Sequence, residues 1–448
     1  MSPTDIPTAL AFLAMTVPVG ALAILGLCLL FIPTLSERRV HQIVGGGLLG
    51  GLIATLGIDL ALAFGGAPVS LDIGSIIAVR GFHINLAMLV DGKAALFLTL
   101  DYLLCGLVGL FSARYLHQEE GFRRFYLLLT VFAVGVSLIA AARGLDLLFA
   151  GWELVGLSSA LLIAFFHRRP APVSHGLRAY GVYRVTDVGL LMGVVLSHHL
   201  PDAGASLLGT PVDGHVVPLV AEPMTWLIGG LLIFGAMGKG AAVPFTGWLP
   251  RAMEGPTPSS AIFYGALSIH ASPFLLVRIQ PLLDTHIGLR VAVVTIGLIS
   301  AAHASMVGRV QSDIKSSLGY ASVAQVGLMW VWAGLGWETL AMVHIAGHAA
   351  LRTWQLLRAP SLLHDRYQLS TLLGHSANPS HVEGWLPARI QAPLYAFALN
   401  RWHLDELLAA ALRIVLAPLR ALERADVAVG LSLEAQPSPT ASAEVAAQ

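Results

Sequence analysis

Apolar residues fill this chain in long unbroken runs, not in the alternating stripes of a soluble fold. From Ala9 to Phe31 no charged residue interrupts the run. About 18 to 20 such residues span the hydrocarbon core of a bilayer. Runs of this kind predict membrane helices at 8–32, 42–64, 86–112, 124–142, 144–166, 178–200, 224–246, 259–280, 289–308, 315–335 and 338–358. The expected fold is an all-α polytopic membrane protein with about eleven transmembrane helices. No basic region precedes the first run, which therefore reads as a membrane helix and not as a cleaved signal peptide.

After Pro360 the pattern changes. Residues 361–384 are polar and loop-like. From Asp405 to Glu423 a helical stripe of Leu408, Leu412, Val415, Leu419 and Leu422 faces away from Glu406, Arg413, Arg420 and Glu423. That spacing predicts an amphipathic helix lying on a membrane surface or against a partner. Pro418 is expected to kink it. The chain thus divides into N-terminal transmembrane helices (1–85), a membrane core (86–360), a cytoplasmic loop with the amphipathic helix (361–433) and a tail of disordered composition (434–448).

The chain is 56% hydrophobic and 12% charged, with zero net charge, which leaves no case for nucleic-acid binding. Cys28 and Cys105 each sit in an apolar run, so neither a disulfide framework nor a cysteine metal site is expected. The few charges do set an orientation. Loops after the first, third and fifth helices carry Arg38, Arg39, Arg114, Arg123, Arg124, Arg168 and Arg169. Loops after the second and fourth carry only Arg80 and Arg143, with Lys93 in the helix that follows. The positive-inside rule then puts the N-terminus outside and the C-terminus in the cytoplasm, in a plasma (cell inner) membrane.

Charges within the apolar runs are the candidate chemistry. Lys239 follows about ten apolar or small residues, and Pro244 comes soon after it. A lysine at mid-bilayer costs about 2.5 to 3.5 kcal/mol and commonly marks an ion or proton path. Pro244 lacks an N–H, so the seventh helix must bend or break there. Broken backbone at that depth is tolerated where it is buried or lines a wet cavity. The plainer alternative is a lysine that snorkels to the interface.

Glu153, in GWELVGLSS, needs a cation or a wet cavity to stay ionised at this depth, and Lys239 is the natural cation. Such a pair is either a switchable proton site or a static structural pair. Arg178, Arg184 and Asp187 share LRAYGVYRVTDVG, where Asp187 three residues from Arg184 suggests local pairing. His270 lies in the run ALSIHASPFLLVR, and Lys315 opens the tenth helix beside Asp313, where snorkelling is again an alternative. His344, His348 and Arg352 are spaced four apart and line one face of the eleventh helix. A His–His–Arg stripe could relay protons. A zinc site would need a further ligand that the pattern lacks. Glu254 precedes the turn Gly255-Pro256-Thr257-Pro258.

Together these stretches resemble the antiporter-like, proton-translocating subunits shared by respiratory complex I and the multisubunit Na⁺/H⁺ antiporters. The resemblance runs from Leu89-Val90-Asp91-Gly92 through Ala359. It rests on EEGFRRFY (119–126), GWELVGLSSALLIAFF (151–166), YRVTDVG (183–189), GAMGK and WLPRAMEGPTPSSA (235–261), DIKSSLGYASVAQVG (313–327) and the histidine pair at 344 and 348. It implies an antiporter-like helical bundle with a broken seventh helix, no catalytic residue, no metal site and no cofactor in this chain. It also implies a proton path through Glu153, Lys239, Lys315, His344 and His348, to which the reading of the apolar runs adds His270. Arg178, Asp187, Glu254 and Arg352 would be supporting charges.

The departures also carry information. Arg352 stands where the family has a lysine, and arginine is effectively never deprotonated. Tyr264 stands where the family has a histidine, and His270 where it has a threonine. The family continues with three further helices, where this sequence turns to its amphipathic segment. The run GHAALRTWQLLRAPSLLHD is similar to one branch, the membrane subunit of the bacterial DAB-type inorganic-carbon accumulation complex. That likeness implies a large, soluble, carbonic-anhydrase-like zinc partner on the cytoplasmic face, with proton flow driving the conversion of CO₂ to bicarbonate. A proton-pumping subunit of NADH:quinone oxidoreductase or of a Na⁺/H⁺ antiporter is the alternative.

Overall fold

The computed structural model describes residues 5–32, 34–79, 82–200, 208, 222–359 and 387–434. Two long helices open the chain, α1 (Asp5–Phe31) and α2 (Glu37–Ala63), and pack against each other. An antiparallel hairpin follows, β1 (Val69–Val79) and β2 (Phe82–Val90), pairing Val69 with Val90. The hairpin corrects the expectation of a loop and of a third helix starting at 86. β2 alternates polar and apolar residues from His83 to Leu86, a two-residue period that the search for long apolar runs passes over.

Helix α3 (Gly92–Tyr115) starts at the Asp91 cap, whose side chain accepts from the Ala94 N–H at 2.8 Å. Then come α4 (Phe122–Ala141), α5 (Leu145–Ile163), α6 (Pro170–Ser197) and α7 (Pro223–Lys239). α6 begins eight residues before its expected start of 178, because Pro170 and Pro172 fit the first turn, where no N–H partner is needed.

After α7 the backbone is broken into short pieces: α8 (Trp248–Arg251), α9 (Thr257–Ser259), a π-wound stretch Ser260–Ala266, α10 (Ala271–Arg278) and α11 (Gln280–Leu283). Three longer helices follow: α12 (Ile287–Arg309), α13 (Ile314–Gly334) and α14 (Glu338–Leu357). α15 (Ala388–Leu399) also reaches α12.

Among the described residues, eight helical segments can cross a membrane by length and composition: α1 to α6, Thr257–Arg278 taken as one, and α12. The other three expected spans are present as helices too. α7 is short at 17 residues, and α13 and α14 carry polar groups. Thr257–Arg278 is wholly buried, so the interrupted segments form the centre and the continuous helices surround them. Trp152, Trp248, Trp330, Tyr183 and Tyr264 are fully buried there.

From Asn400 the chain forms a separate unit. Its helix α16 (Leu404–Glu434) is longer than the expected 405–423 and continues through Pro418. The stripe is real and bare: Leu412, Val415, Leu419 and Leu422 are all at least half exposed.

Candidate functional site

The break that makes the site lies earlier than Pro244 itself. A proline ring clashes with the carbonyl four residues before it, here that of Gly240. α7 accordingly ends at Lys239, and Ala241 turns into left-handed backbone (φ 48°). The groups freed by the break find side-chain partners. Trp248 Nε1 donates to the Gly238 carbonyl at 2.9 Å, and the Val243 N–H donates to Ser300 Oγ at 2.9 Å. Interrupted backbone at this depth requires such partners.

Lys239 is completely buried, so it does not snorkel. Its Nζ donates to the Trp152 carbonyl at 3.1 Å and lies 4.8 Å from the Trp152 ring and 4.7 Å from the Tyr183 ring. Desolvated cation–π contacts contribute about 2 kcal/mol. The C-terminal end of α7 adds its dipole to the same cation. Gly156 leaves room for this: a Cβ there would stand 3.3 Å from Nζ.

Glu153 does not pair with Lys239, and this corrects the sequence expectation. Its partner is Arg184, whose other arm, Nη2, donates to Asp187 Oδ2 at 2.7 Å. The second Asp187 oxygen accepts from Trp152 Nε1 at 2.7 Å. The reason is reach. The guanidinium fork of Arg184 reaches both carboxylates, while Lys239 Nζ is turned to the Trp152 carbonyl and ring. The result is a chain Glu153–Arg184–Asp187–Trp152, with Lys239 held on the ring and carbonyl of that same tryptophan. The local Arg184–Asp187 pairing expected from the sequence is present. Arg178 sits at an exposed position of α6, outside this chain of contacts. Glu254 is half-buried on a short turn that packs against α5 and α6.

A second polar cluster lies on α10, α13 and α14. His348 Nδ1 is 2.9 Å from His270 Nε2, and His270 Nδ1 meets the Ala266 carbonyl. Arg352 donates to His348 Nε2 from two nitrogens, each at 3.4 Å. These partners fix the proton positions. Arg352 has only donors, so His348 Nε2 accepts and Nδ1–H donates to His270, whose own Nδ1–H donates to Ala266. His344 accepts from Trp332 Nε1 at 3.1 Å through Nδ1, and so donates from Nε2 to Gln325 Oε1 at 2.9 Å. The His344 and His348 rings are 6.3 Å apart. The stripe on α14 is therefore not an isolated ladder. His270, from the interrupted segment, is its central member.

Buried hydroxyl and aromatic groups lie between the two clusters. The Tyr183 ring that holds Lys239 is 5.0 Å from the Trp248 ring, which is 5.8 Å from Tyr264. Ser268 lies beside the Tyr183 hydroxyl. The buried hydroxyls of Tyr264 and Ser260 have no hydrogen-bond partner among the described residues. Lys315, by contrast, sits half-buried in the first turn of α13, in neither cluster. Gln325, ten residues further along the same helix, is the group that reaches His344.

Three groups escaped the sequence reading. His303 on α12 is fully buried and its Nε2 meets Thr246 Oγ1 at 3.0 Å, just beyond the break. Asp101 is fully buried on α3, with Cys105 Sγ at 3.3 Å. Arg278 ends α10 and donates to Asp91 Oδ2 at 2.6 Å. Each is a lone ionisable residue in an apolar run, the same signal that marked His270. His364, Asp365, His375 and His381 lie outside the described residues.

Two interrupted helices meeting at a buried cation and a histidine chain define an antiporter-like polytopic membrane protein. Residues 142–376 match the family described as NADH:quinone oxidoreductase/Mrp antiporter, TM, and residues 76–126 match NADH-Ubiquinone oxidoreductase (complex I), chain 5 N-terminus. The first match covers over half of the chain, which belongs to that family.

Among curated relatives, NADH-quinone oxidoreductase subunit L of Rhodobacter capsulatus is 33% identical over 296 residues, covering 61% of this chain and 40% of the relative. NADH-ubiquinone oxidoreductase chain 5 of Cryptococcus neoformans var. grubii is 30% identical over 346 residues, covering 76% and 51%. The chain thus spans about half of the length of these relatives, or less. A chain in the structure of the Mrp complex from Dietzia sp. DQ12-45-1b aligns with a TM-score of 0.64 at 25% identity, over 77% of this chain and 37% of that one.

Proposed function

We propose that this chain is a proton-translocating membrane subunit that works inside a multisubunit complex of the complex I or Mrp kind. The observation that carries this reading is Lys239. It is a fully buried cation at the end of an interrupted helix, one tryptophan away from the Glu153–Arg184–Asp187 chain. Movement of Arg184 between its carboxylates would change the field at Lys239, and so whether Lys239 keeps its proton. Tyr183, Ser268 and Tyr264 offer steps toward His270 and His348. In this reading the chain has no catalytic site and no cofactor of its own, and it sits in the plasma membrane with its N-terminus outside.

The test is proton uptake by proteoliposomes holding the assembled complex. Lys239→Ala and Glu153→Gln should abolish coupled translocation while the complex still assembles. Wild-type rates in Lys239→Ala would overturn the reading.

A second, finer reading is that the proton current drives inorganic-carbon accumulation by a zinc-containing, carbonic-anhydrase-like partner on the cytoplasmic face. It is favoured by Arg352, buried against His348 where the family has a lysine. A fixed positive charge there cannot hand a proton onward along α14. Co-expression with such a partner should then support growth at low CO₂, and a protonophore should abolish it. Sustained Na⁺/H⁺ exchange by this chain alone in liposomes would exclude this second reading.

A further inference from the structure

A cavity of about 890 Å³ opens where α3 and α14 begin, lined by Asp91, Lys93, Leu96, Trp337, Glu338 and Met342. Two ion pairs frame it. Lys93 on α3 pairs with Glu338 on α14, and both side chains remain about one third exposed, at 37% and 31%. Asp91, the cap of α3, pairs with Arg278 on α10 at 2.6 Å, and Arg278 is only 2% exposed. Arg278 also donates to the Ala142 carbonyl at 3.3 Å, which anchors it further. One pair is thus anchored by a buried arginine, while both members of the other are partly solvated.

We propose that this cavity is the mouth of the ion path on that face, and that the Lys93–Glu338 pair is its gate. The species admitted would be a hydrated proton or a small alkali cation with its water. The proposal rests on the translocation reading for the identity of the traffic, though not for the existence of the gate.

The helices carry the argument. Glu338, His348 and Arg352 lie ten and fourteen positions apart on α14, within one face of the helix. At 1.5 Å per residue, His348 is about 15 Å along the axis from Glu338. Arg278 ends α10 and His270 caps its start, eight positions earlier, about 12 Å away. The cavity therefore sits at one end of the two helices that are joined, further in, by the His270–His348 hydrogen bond. α10 and α14 contact each other along the way. Met342, 5% exposed and one turn inward from Glu338 on the same face, forms the inner wall.

The pairs suit different tasks. A partly exposed lysine–carboxylate pair is weak and screened by salt, so it opens easily. The anchored Arg278–Asp91 pair holds the rim while the other opens. A staple joining α3 to α14 would be better built the other way round, with the buried arginine pair between those two helices.

The test uses the complex in membrane vesicles, with Cys28→Ser and Cys105→Ser as background and Met342→Cys as the probe. A membrane-impermeant, cationic methanethiosulfonate reagent reports access. Removing the pair by Lys93→Ala or Glu338→Gln should raise the labelling rate by about tenfold, as expected when a weak closed state is lost. The exchanged pair Lys93→Glu/Glu338→Lys should return it to the wild-type rate. An unchanged rate in both single variants, or fast labelling in the exchanged pair, would overturn the gate. Proton flux in Lys239→Ala judges the translocation reading separately, so either idea can fail alone.

Discussion

Lys239, Trp152 and Arg184 form a unit in which each group does what the others cannot. The lysine has a proton to release. The arginine does not, yet it can bind two carboxylates at once. Lys239→Arg should therefore abolish translocation while keeping the positive charge, and proton uptake in proteoliposomes checks it. Arg184→Gln should act differently, leaving Glu153 and Asp187 without their shared cation. With the arginine about one third exposed, at 35%, the loss should be about 1 to 3 kcal/mol of stability, read as a lower melting midpoint in detergent. His270 and His348 form the second unit. Replacing His344 and His348 together by alanine should cut translocation strongly and shift its pH dependence, because two titratable groups leave one connected chain. Normal rates at every pH in that double variant would make them packing histidines.

The elements show why some of this could be read from sequence and some not. Lys239 and Pro244 announced an interruption, since a proline four residues past a helical carbonyl must end the helix. The position of the break and its repair were not legible. Trp248 caps the Gly238 carbonyl from ten residues away, and no local pattern encodes that contact. Trp248→Phe should expose this lack of redundancy. It removes the donor from a buried carbonyl and should cost about 1 to 3 kcal/mol, measured by thermal unfolding of the purified complex. The second interruption, from Ser260 to His270, carries no proline or charge to mark it, so the pattern there predicts an unbroken span. The π-wound turn that puts His270 beside His348 is set by tertiary packing. Partner choice was misread for the same reason. Spacing put Asp187 beside Arg184, but Glu153 lies on another helix and had to find its cation in three dimensions. The amphipathic stripe on α16 was legible because it is periodic within one element, and the helix ran on through the proline expected to kink it.

At the scale of the molecule, the polar groups fall into a sequence that begins at one rim and passes through the centre. The first helical turns of α3 and α14 and the last of α10 share the rim with the Lys93–Glu338 cavity. Glu120 in the loop before α4, Arg124 in the first turn of α4, and Arg168 and Arg169 in the turn between α5 and α6 line a separate cavity of about 450 Å³. Helices that run antiparallel put these two sets on opposite faces, and arginine-rich short loops stay in the cytoplasm. Glu120 should therefore face the cytoplasm, and Thr339, exposed beside the other cavity, the outside. In a background without Cys28 and Cys105, Thr339→Cys should react with an impermeant reagent added to intact cells. Glu120→Cys should react only after the membrane is opened. Reversed labelling would invert the molecule. The Lys93–Glu338 cavity would then open to the cytoplasm, although every contact around Lys239 stays the same. Labelling of both sites from one side would break the assignment of α3, which joins them, as a membrane span.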